Sequence, residues 1–281
     1  MTDLISVIVS TYNREDALSA VLRSLARQSD RDFEVLVADD GSGVATARVV
    51  GDWATRMPVP LRHVWHADHG FRLAEIRNRA IRASAGAYCV FLDGDCITRS
   101  DFVAGHRRLA ERGWFVTGNR ILLSSELTER ILRVGLEPEQ WRLAEWLAER
   151  ANRHVNRFAP LLDLPLGSLR RLQARRWRGA RGSNMGFWRA DLDKVDGFDA
   201  AYSGWGREDS DIFIRMIRAG VLRKDGRFAT GVLHLWHPEA DRALLADNER
   251  QLADVIDSPR VRAKQGLTRV IEETSASTAH S

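Results

Sequence analysis

Between residues 4 and 92 the chain alternates apolar runs with amphipathic ones, and that order restricts the fold more than any other feature. Leu4–Val9 is a near-continuous run of mostly branched apolar residues, as expected of a strand buried on both faces. It breaks at Ser10-Thr11-Tyr12-Asn13-Arg14. A helix is expected next, with Asn13 as N-cap and Ala17, Leu18, Val21, Leu22 and Leu25 on one face. Phe33–Ala38 is a second strand, broken by Asp39-Asp40-Gly41-Ser42-Gly43; a weaker helix covers 45–56 and a short third strand 61–65. A helix over 73–85 turns Leu73, Ile76, Ala80 and Ile81 inward, and Tyr88–Leu92 is a fourth strand. This β-α-β-α-β-α-β order predicts an α/β, Rossmann-like fold: a mostly parallel, right-handed sheet with helices on both faces.

The fourth strand ends at Asp93-Gly94-Asp95. In a parallel sheet, ligands bind beyond the carboxyl ends of the strands. Two carboxylates there, with a glycine allowing close backbone approach, suit a divalent cation that bridges to phosphate oxygens. Asp-Gly is equally a turn dipeptide, and on these residues alone both readings stand. Two more strand ends point to the same edge, the first bringing Thr11, Tyr12 and Arg14, the second Asp39 and Asp40. An aromatic ring and an Asp at adjacent strand ends can hold a base or a ribose. No GxGxxG and no GxxxxGK[ST] occurs, which excludes the dinucleotide fingerprint and the P-loop. A nucleotide bound here would be held through a metal on its diphosphate. Arg77, in the helix before the fourth strand, either turns toward that diphosphate or the aspartates, or belongs to a solvated face.

Beyond Asp95 the alternation fails. A helix is expected over 101–112 and one or two strands within 114–123. Residues 124–178 are helical in composition and strongly basic, and 169–178 approach a basic amphipathic segment. Two readings stand: a solvated helical insertion packed on the sheet, or a patch meeting anionic lipid head groups, peripheral at an inner membrane. Order returns at 182–188. Gly204-Trp205-Gly206-Arg207-Glu208-Asp209-Ser210-Asp211 then opens a helix with Ile212, Phe213, Met216 and Ile217 inward. Helix capping and the helix dipole explain Ser210 and Asp211. They do not explain a tryptophan between two glycines immediately before the acids. A flat aromatic beside a carboxylate is a floor for a sugar ring, and a carboxylate within reach of an acceptor hydroxyl can act as general base. A strand over 228–233 ends at His234-Leu235-Trp236-His237; with Asp95 these histidines make a mixed oxygen and nitrogen set that suits Mn²⁺ as well as Mg²⁺. Residues 274–281 are small and polar and are expected to be disordered.

Composition narrows the class. The net charge of +4 is carried overwhelmingly by arginine, lysine occurring at 194, 224 and 264 alone. Arginine suits phosphate, but the modest net charge makes no case for nucleic acid. No run of eighteen apolar residues occurs, and no basic region precedes the first apolar run, so a cytoplasmic protein is expected. Cys89 and Cys96, the two cysteines, give neither a disulfide framework nor a CxxC site.

Taken in order, SVIVSTYNR, VLVADDGS, GFRLAEIRNRAIRASAGAY, VFLDGD, RGSNMGFWR, VDGFDAAYSGWGREDSD and HLWHP resemble a bacterial family 2 glycosyltransferase of the GT-A fold. The downstream half resembles the galactosyltransferase-type region of chondroitin-polymerase-like and lipopolysaccharide or capsule enzymes, and the whole resemblance covers about residues 4–240. It implies inverting, metal-dependent transfer of a hexose from a UDP-sugar to a hydroxyl of a cell-surface glycan or lipid-linked acceptor, with Mn²⁺ or Mg²⁺ as cofactor. On this resemblance Thr11, Tyr12 and Asp40 contact the uridine, and Arg14, Arg77, Asp93 and Gly94 complete the nucleotide-sugar site. Asp95 holds the metal, together with His234, His237 or both. Trp205, Gly206 and Arg207 meet the acceptor, Glu208 shapes the sugar site and Asp209 is the base. Arg207 departs from the related GWGGED pattern, which has glycine there, and its charge points to an anionic acceptor. The implied divisions are 1–118 for the nucleotide-sugar half, 119–180 for the basic insertion, 181–240 for the acceptor half and 241–281 for a C-terminal helix and tail. Two other classes compete. A nucleotide-sugar-binding subunit without transfer activity would not need the acids at 93, 95, 208 and 209. A nucleotidyltransferase would want a glycine-rich basic loop where the chain has STYNRED.

Overall fold

A computed structural model describes residues 3–270; the tail expected to be disordered, 274–281, lies outside them. The four predicted strands form as β1 (Ile5–Thr11), β2 (Phe33–Asp39), β3 (Leu61–Trp65) and β4 (Tyr88–Asp93). Between them lie α1 (Glu15–Ala26), α2 (Val44–Ala54) and α3 (Leu73–Ala83). β1 pairs in parallel with β2 and β4, and β2 in parallel with β3. The register sets Ser10 beside Asp93 and Thr11 beside Asp39, so these chain ends leave the sheet at one edge. Side chains alternate across a strand. Val7, Val9, Val35, Val37, Val90 and Leu92 therefore pack with Leu18, Val21 and Leu22 of α1 on one face. Ile8, Leu36 and Phe91 pack with Ile76, Ala80 and Ile81 of α3 on the other. Full burial of each such branched side chain contributes about 1.5–3 kcal/mol, which is why this half is so regular.

The second half is mixed. β5 (Cys96–Thr98), α4 (Phe102–Leu109), β6 (Trp114–Thr117) and β7 (Arg120–Leu122) come first, then α5 (Ser125–Val134) and α6 (Leu143–Ala151) in the insertion. β8 (Asn184–Trp188), α7 (Arg189–Val195), α8 (Glu208–Arg218), β9 (Leu222–Asp225), β10 (Val232–His234) and α9 (Leu245–Asp257) follow. The main sheet has seven strands in the order β3-β2-β1-β4-β8-β6-β9. β8 alone runs against its neighbours among these strands. A second sheet, β5-β10-β7, carries the end of β10 to the carboxyl edge of β4, where Leu235 N donates to Asp95 O at 2.9 Å.

Three expectations need correction. The insertion is helical only as far as Ala151; beyond it come short 3₁₀ turns at Ala159–Leu161 and Gly167–Arg171 and irregular chain. Prolines at 160 and 165 and glycines at 167, 179 and 182 break the run. Buried Arg170 pins it further by donating to the carbonyls of Leu164, Asp225 and Arg227. The amphipathic helix that would meet lipid head groups is therefore absent, and no helix of the described residues is long and apolar enough to cross a membrane. Asn13 does not cap α1. It sits at φ 46°, its side chain accepts from Gly43 N, and its own N–H donates to Ser42 Oγ, so it ties the loop after β1 to the loop after β2. The last strand is shorter than expected, because Phe228 takes a positive φ of 59° and pairing starts at Val232.

The acidic N-terminus of α8 is held by a buried pair one turn further on. Arg215 is fully buried; its Nε lies 2.7 Å from Asp211 Oδ2, and its Nη1 donates to the carbonyls of Val195 and Gly197. Removing one partner of such a pair leaves an uncompensated buried charge, which costs about 3–5 kcal/mol. Arg215→Met should lose stability of that order in urea unfolding; a loss below about 1 kcal/mol would mean that this clamp does not hold α8.

Candidate active site

The carboxyl ends of β1, β2 and β4, the start of α8 and the end of β10 enclose a cleft of about 1420 Å³. Pockets for a single small ligand run to about 300–1,000 Å³, so there is room for two substrates side by side. Every candidate site residue named from the sequence except one lines this cleft. Asp39 does not; it is fully buried, accepting from Ser42 N and pairing with His63 Nε2 at 2.9 Å.

At one end stand Thr11, Tyr12 and Asp40. Tyr12 is half exposed and donates to Asp68 Oδ2 at 2.9 Å, which sets its ring on the cleft wall. Asp40 is buried, with Oδ1 2.7 Å from His66 Nε2 and Oδ2 accepting from Arg72 N at 2.8 Å. Burial opposes charge on His66, but Asp40 and Glu75 outweigh it and hold its pKa above the usual value. The Thr11 hydroxyl is buried at the cleft with no partner, a donor left open toward a ligand. Arg14 also lines the cleft, its charge shared with Asp16 at 3.3 Å.

At the centre, the turn after β4 is pressed against β1. Gly94 N donates to Ser10 O at 2.7 Å, and a Cβ on Gly94 would lie 2.7 Å from that same oxygen. Glycine is therefore required here. Arg77 is turned to the aspartates and is buried. Its Nη2 donates to Asp93 Oδ1 at 3.1 Å and Gly182 O at 3.3 Å, and its Nη1 lies 3.6 Å from Glu208 Oε1. Burial pushes the Asp93 pKa up, Arg77 opposes this and Asp95 adds to it. Burial pushes Glu208 up to about 7, reinforced by Asp209 and opposed by Arg77.

Asp95, His234 and His237 come together beside that turn, with one ligand atom from each lying within 4.8 Å of the others. His237 Nε2 is 3.2 Å from Asp95 Oδ2 and His234 Nε2 is 3.7 Å from Asp95 Oδ1. His237 Nδ1 lies 2.6 Å from Pro238 O. A carbonyl can only accept, so Nδ1 donates its hydrogen to it and Nε2 is the ring nitrogen turned to Asp95, the usual orientation behind a metal-binding imidazole. Burial lowers the pKa of His234. One carboxylate and two imidazoles fit a divalent cation of the Mn²⁺ type. Cys96, adjacent to Asp95, is buried, and burial pushes its pKa well up.

Just before α8, Gly204, Gly206 and Arg207 all take positive φ, 71°, 102° and 82°. This explains the glycine of the related pattern at 207, since a non-glycine residue there is strained. The Arg207 side chain pairs with Glu249 of α9 at 2.5 Å, so its charge is compensated within the protein. Trp205 is partly exposed on the wall, with Arg242 5.0 Å over its ring. Asp209 accepts from Gly182 N at 2.9 Å through Oδ2, and from Ser210 N at 2.6 Å and Ser210 Oγ at 3.3 Å through Oδ1, which fixes the carboxylate and leaves a lone pair on Oδ2.

Several functional neighbours were not singled out from the sequence: His66 and Asp68, which hold Asp40 and Tyr12, and Arg120 of β7 on the cleft wall. The signal for the first two was available, because HADHG follows β3 and so emerges at the same sheet edge.

Because folded Glu208 keeps its proton to higher pH than the unfolded chain, its contribution to stability is full below about pH 4.5 and is lost as pH rises through about 7. Glu208→Gln cannot ionise. In metal-free buffer its melting temperature should rise relative to the native protein between pH 5 and pH 8; a difference constant across that window would contradict the burial and charge environment described.

Residues 6–158 match the family described as glycosyl transferase family 2, and residues 173–235 the one described as N-terminal domain of galactosyltransferase. The chain is 29% identical over 250 residues to validoxylamine A glucosyltransferase of Streptomyces hygroscopicus subsp. limoneus, covering 82% of this chain and 51% of the relative. It is 26% identical over 239 residues to chondroitin synthase of Escherichia coli, covering 78% and 33%. The chain thus spans about half the length, or less, of these relatives. Its fold is similar to that of a mannosyltransferase from Pyrobaculum calidifontis in complex with GDP-Man and Mn²⁺, with TM-score 0.59, 21% identity, and 92% of this chain and 65% of that one covered. S. aureus TarS in complex with UDP-GlcNAc gives TM-score 0.58 at 17% identity, covering 90% and 66%. Such structures speak to the fold, which is GT-A. With more than half of its length inside the first match, the chain belongs to glycosyl transferase family 2.

Proposed function

We propose that this glycosyltransferase moves a hexose from a UDP-sugar to a hydroxyl of a cell-surface glycan or lipid-linked acceptor, of lipopolysaccharide or capsule type. The transfer inverts the anomeric carbon and needs Mn²⁺ or Mg²⁺. One observation carries the reading: Arg77 joins Asp93, beside the candidate metal ligands, to Glu208, beside the candidate base, across one cleft. Relatives named for sugar transfer and polysaccharide synthesis support the class of reaction, and fold neighbours holding GDP-Man and UDP-GlcNAc support a nucleoside diphosphate sugar.

The uracil and ribose lie against Tyr12, Thr11 and Asp40, and the transferred sugar reaches Asp93. Asp95 with His234 and His237 would hold the cation, which when bound offsets the negative charge of the diphosphate. Trp205 supports the acceptor ring. Asp209, fixed by two backbone N–H groups, takes the proton of the acceptor hydroxyl while that oxygen bonds to the anomeric carbon. The bond to UDP breaks in the same step, its electron pair leaving with UDP. Attack from the face opposite the leaving group inverts the centre.

Incubation with UDP-sugars, Mn²⁺ and a hydroxyl acceptor should release UDP, and EDTA should stop it. Asp209→Asn should lower transfer by about 10²–10⁴-fold, the usual worth of a general base, with UDP and Mn²⁺ affinities unchanged by calorimetry. Loss of UDP binding in that variant would make Asp209 structural, and UDP binding without turnover in the native protein would favour a non-catalytic subunit.

A further inference from the structure

Arg120, Arg178 and Arg181 line the cleft, and their side chains make no hydrogen bond or ion pair with another described residue. Arg178 packs over Trp177 at 4.5 Å and, like Arg181, lies exposed on irregular chain. Arg120 is different. It is half-buried at the start of β7, a short strand held by β10, with Val232 beside Arg120 and His234 beside Leu122. Cross-strand partners share a face, as do residues two apart on one strand. Arg120 therefore stands on the same face as Leu122 and His234, next to the Asp95, His234 and His237 group. Arg120 thus belongs to the metal end of the cleft, not to the base end.

A divalent ion partnered by the Asp95 carboxylate offsets only part of the charge on a departing nucleoside diphosphate. Arg77 cannot supply the remainder, since it is buried and committed to Asp93 and Glu208. A half-buried guanidinium with no carboxylate partner, aimed into a cleft, has its donors open for an oxyanion, and its fork matches phosphate in two bonds.

We propose that Arg120 forms a leaving-group subsite on the β7 wall and takes the terminal phosphate of the nucleoside diphosphate. This rests on the UDP-sugar reading above. As the bond to the anomeric carbon breaks, its electron pair passes to the phosphate oxygen, and Arg120 bonds to that phosphate with no proton transferred.

Calorimetric titration of the full chain with uridine, UMP and UDP in the presence of Mn²⁺ tests this. Loss of a hydrogen bond to a charged group lowers affinity by about tenfold or more. Arg120→Gln should show that loss for UDP and leave uridine and UMP near the native values, and Arg120→Lys, which keeps the charge but not the fork, should fall between. Near-native UDP affinity in Arg120→Gln, or an equal loss for uridine, UMP and UDP, overturns the subsite. Should Arg120→Gln fail to fold by its melting curve, the ratio of UDP to UMP affinity in Arg120→Lys decides, and an unchanged ratio overturns it. A native protein that binds no uridine nucleotide removes the donor reading and the subsite together. Tight native UDP binding unaffected at position 120 removes the subsite alone.

Discussion

One buried guanidinium holds the acidic cleft together. Asp93, Asp95, Glu208 and Asp209 line the same space, and like charges this close in a poorly solvated site repel. Arg77, 1% exposed, answers two of them at once, and Phe198 packs under its guanidinium at 5.3 Å. The next residue completes the join. Asn78 donates to Phe198 O at 2.8 Å and accepts from Phe198 N at 2.9 Å, so α3 of the first half grips the main chain of the second. The two sides of the cleft are therefore set relative to each other by two adjacent residues of one helix. A cation buried this fully persists because its partners are fixed, and here those partners stand beside the residues proposed to do the chemistry.

The remaining geometry follows from how strands end. β1, β2 and β4 deliver Thr11, Asp40 and Asp93 to one edge because parallel strands share a direction. β10 comes from a different sheet, and the Leu235 N to Asp95 O bond brings its histidines to the same place. The cleft is then closed by α8, whose first turn carries three carboxylates, one of them, Asp211, locked by Arg215.

The first half was legible because its signals are local. Leu4–Val9 and Tyr88–Leu92 are apolar without interruption, α1 and α3 show helical spacing, and Asp93-Gly94-Asp95 ends a strand at the edge where ligands bind. The same periodic signals misled in the insertion. Residues 169–178 have the composition of an amphipathic helix, but Arg170 is taken up by carbonyls of β9 and the following turn, contacts some fifty residues away that spacing cannot show. Asn13 likewise has the chemistry of an N-cap, and a tertiary bond to Gly43 won it. Arg207 carried a charge that suggested an anionic acceptor, and its partner Glu249 stands on a helix that local reading could not bring near. His66 was within reach of a local reading, since it follows β3 at the same sheet edge, whereas Arg120 is set beside the histidines only by the pairing of β7 with β10, which spacing cannot show.

The central claim is that the end of β4 and the end of β10 form one cation site facing a uridine diphosphate. Crystals grown with UDP and Mn²⁺, with diffraction collected at the manganese absorption edge, test it most directly. The arrangement described here predicts an anomalous peak within bonding distance of Asp95 and of His234, His237 or both, the diphosphate bound to it, and the uracil between Tyr12 and Asp40. A peak elsewhere in the cleft, or UDP ordered with its diphosphate away from Asp95, would contradict it.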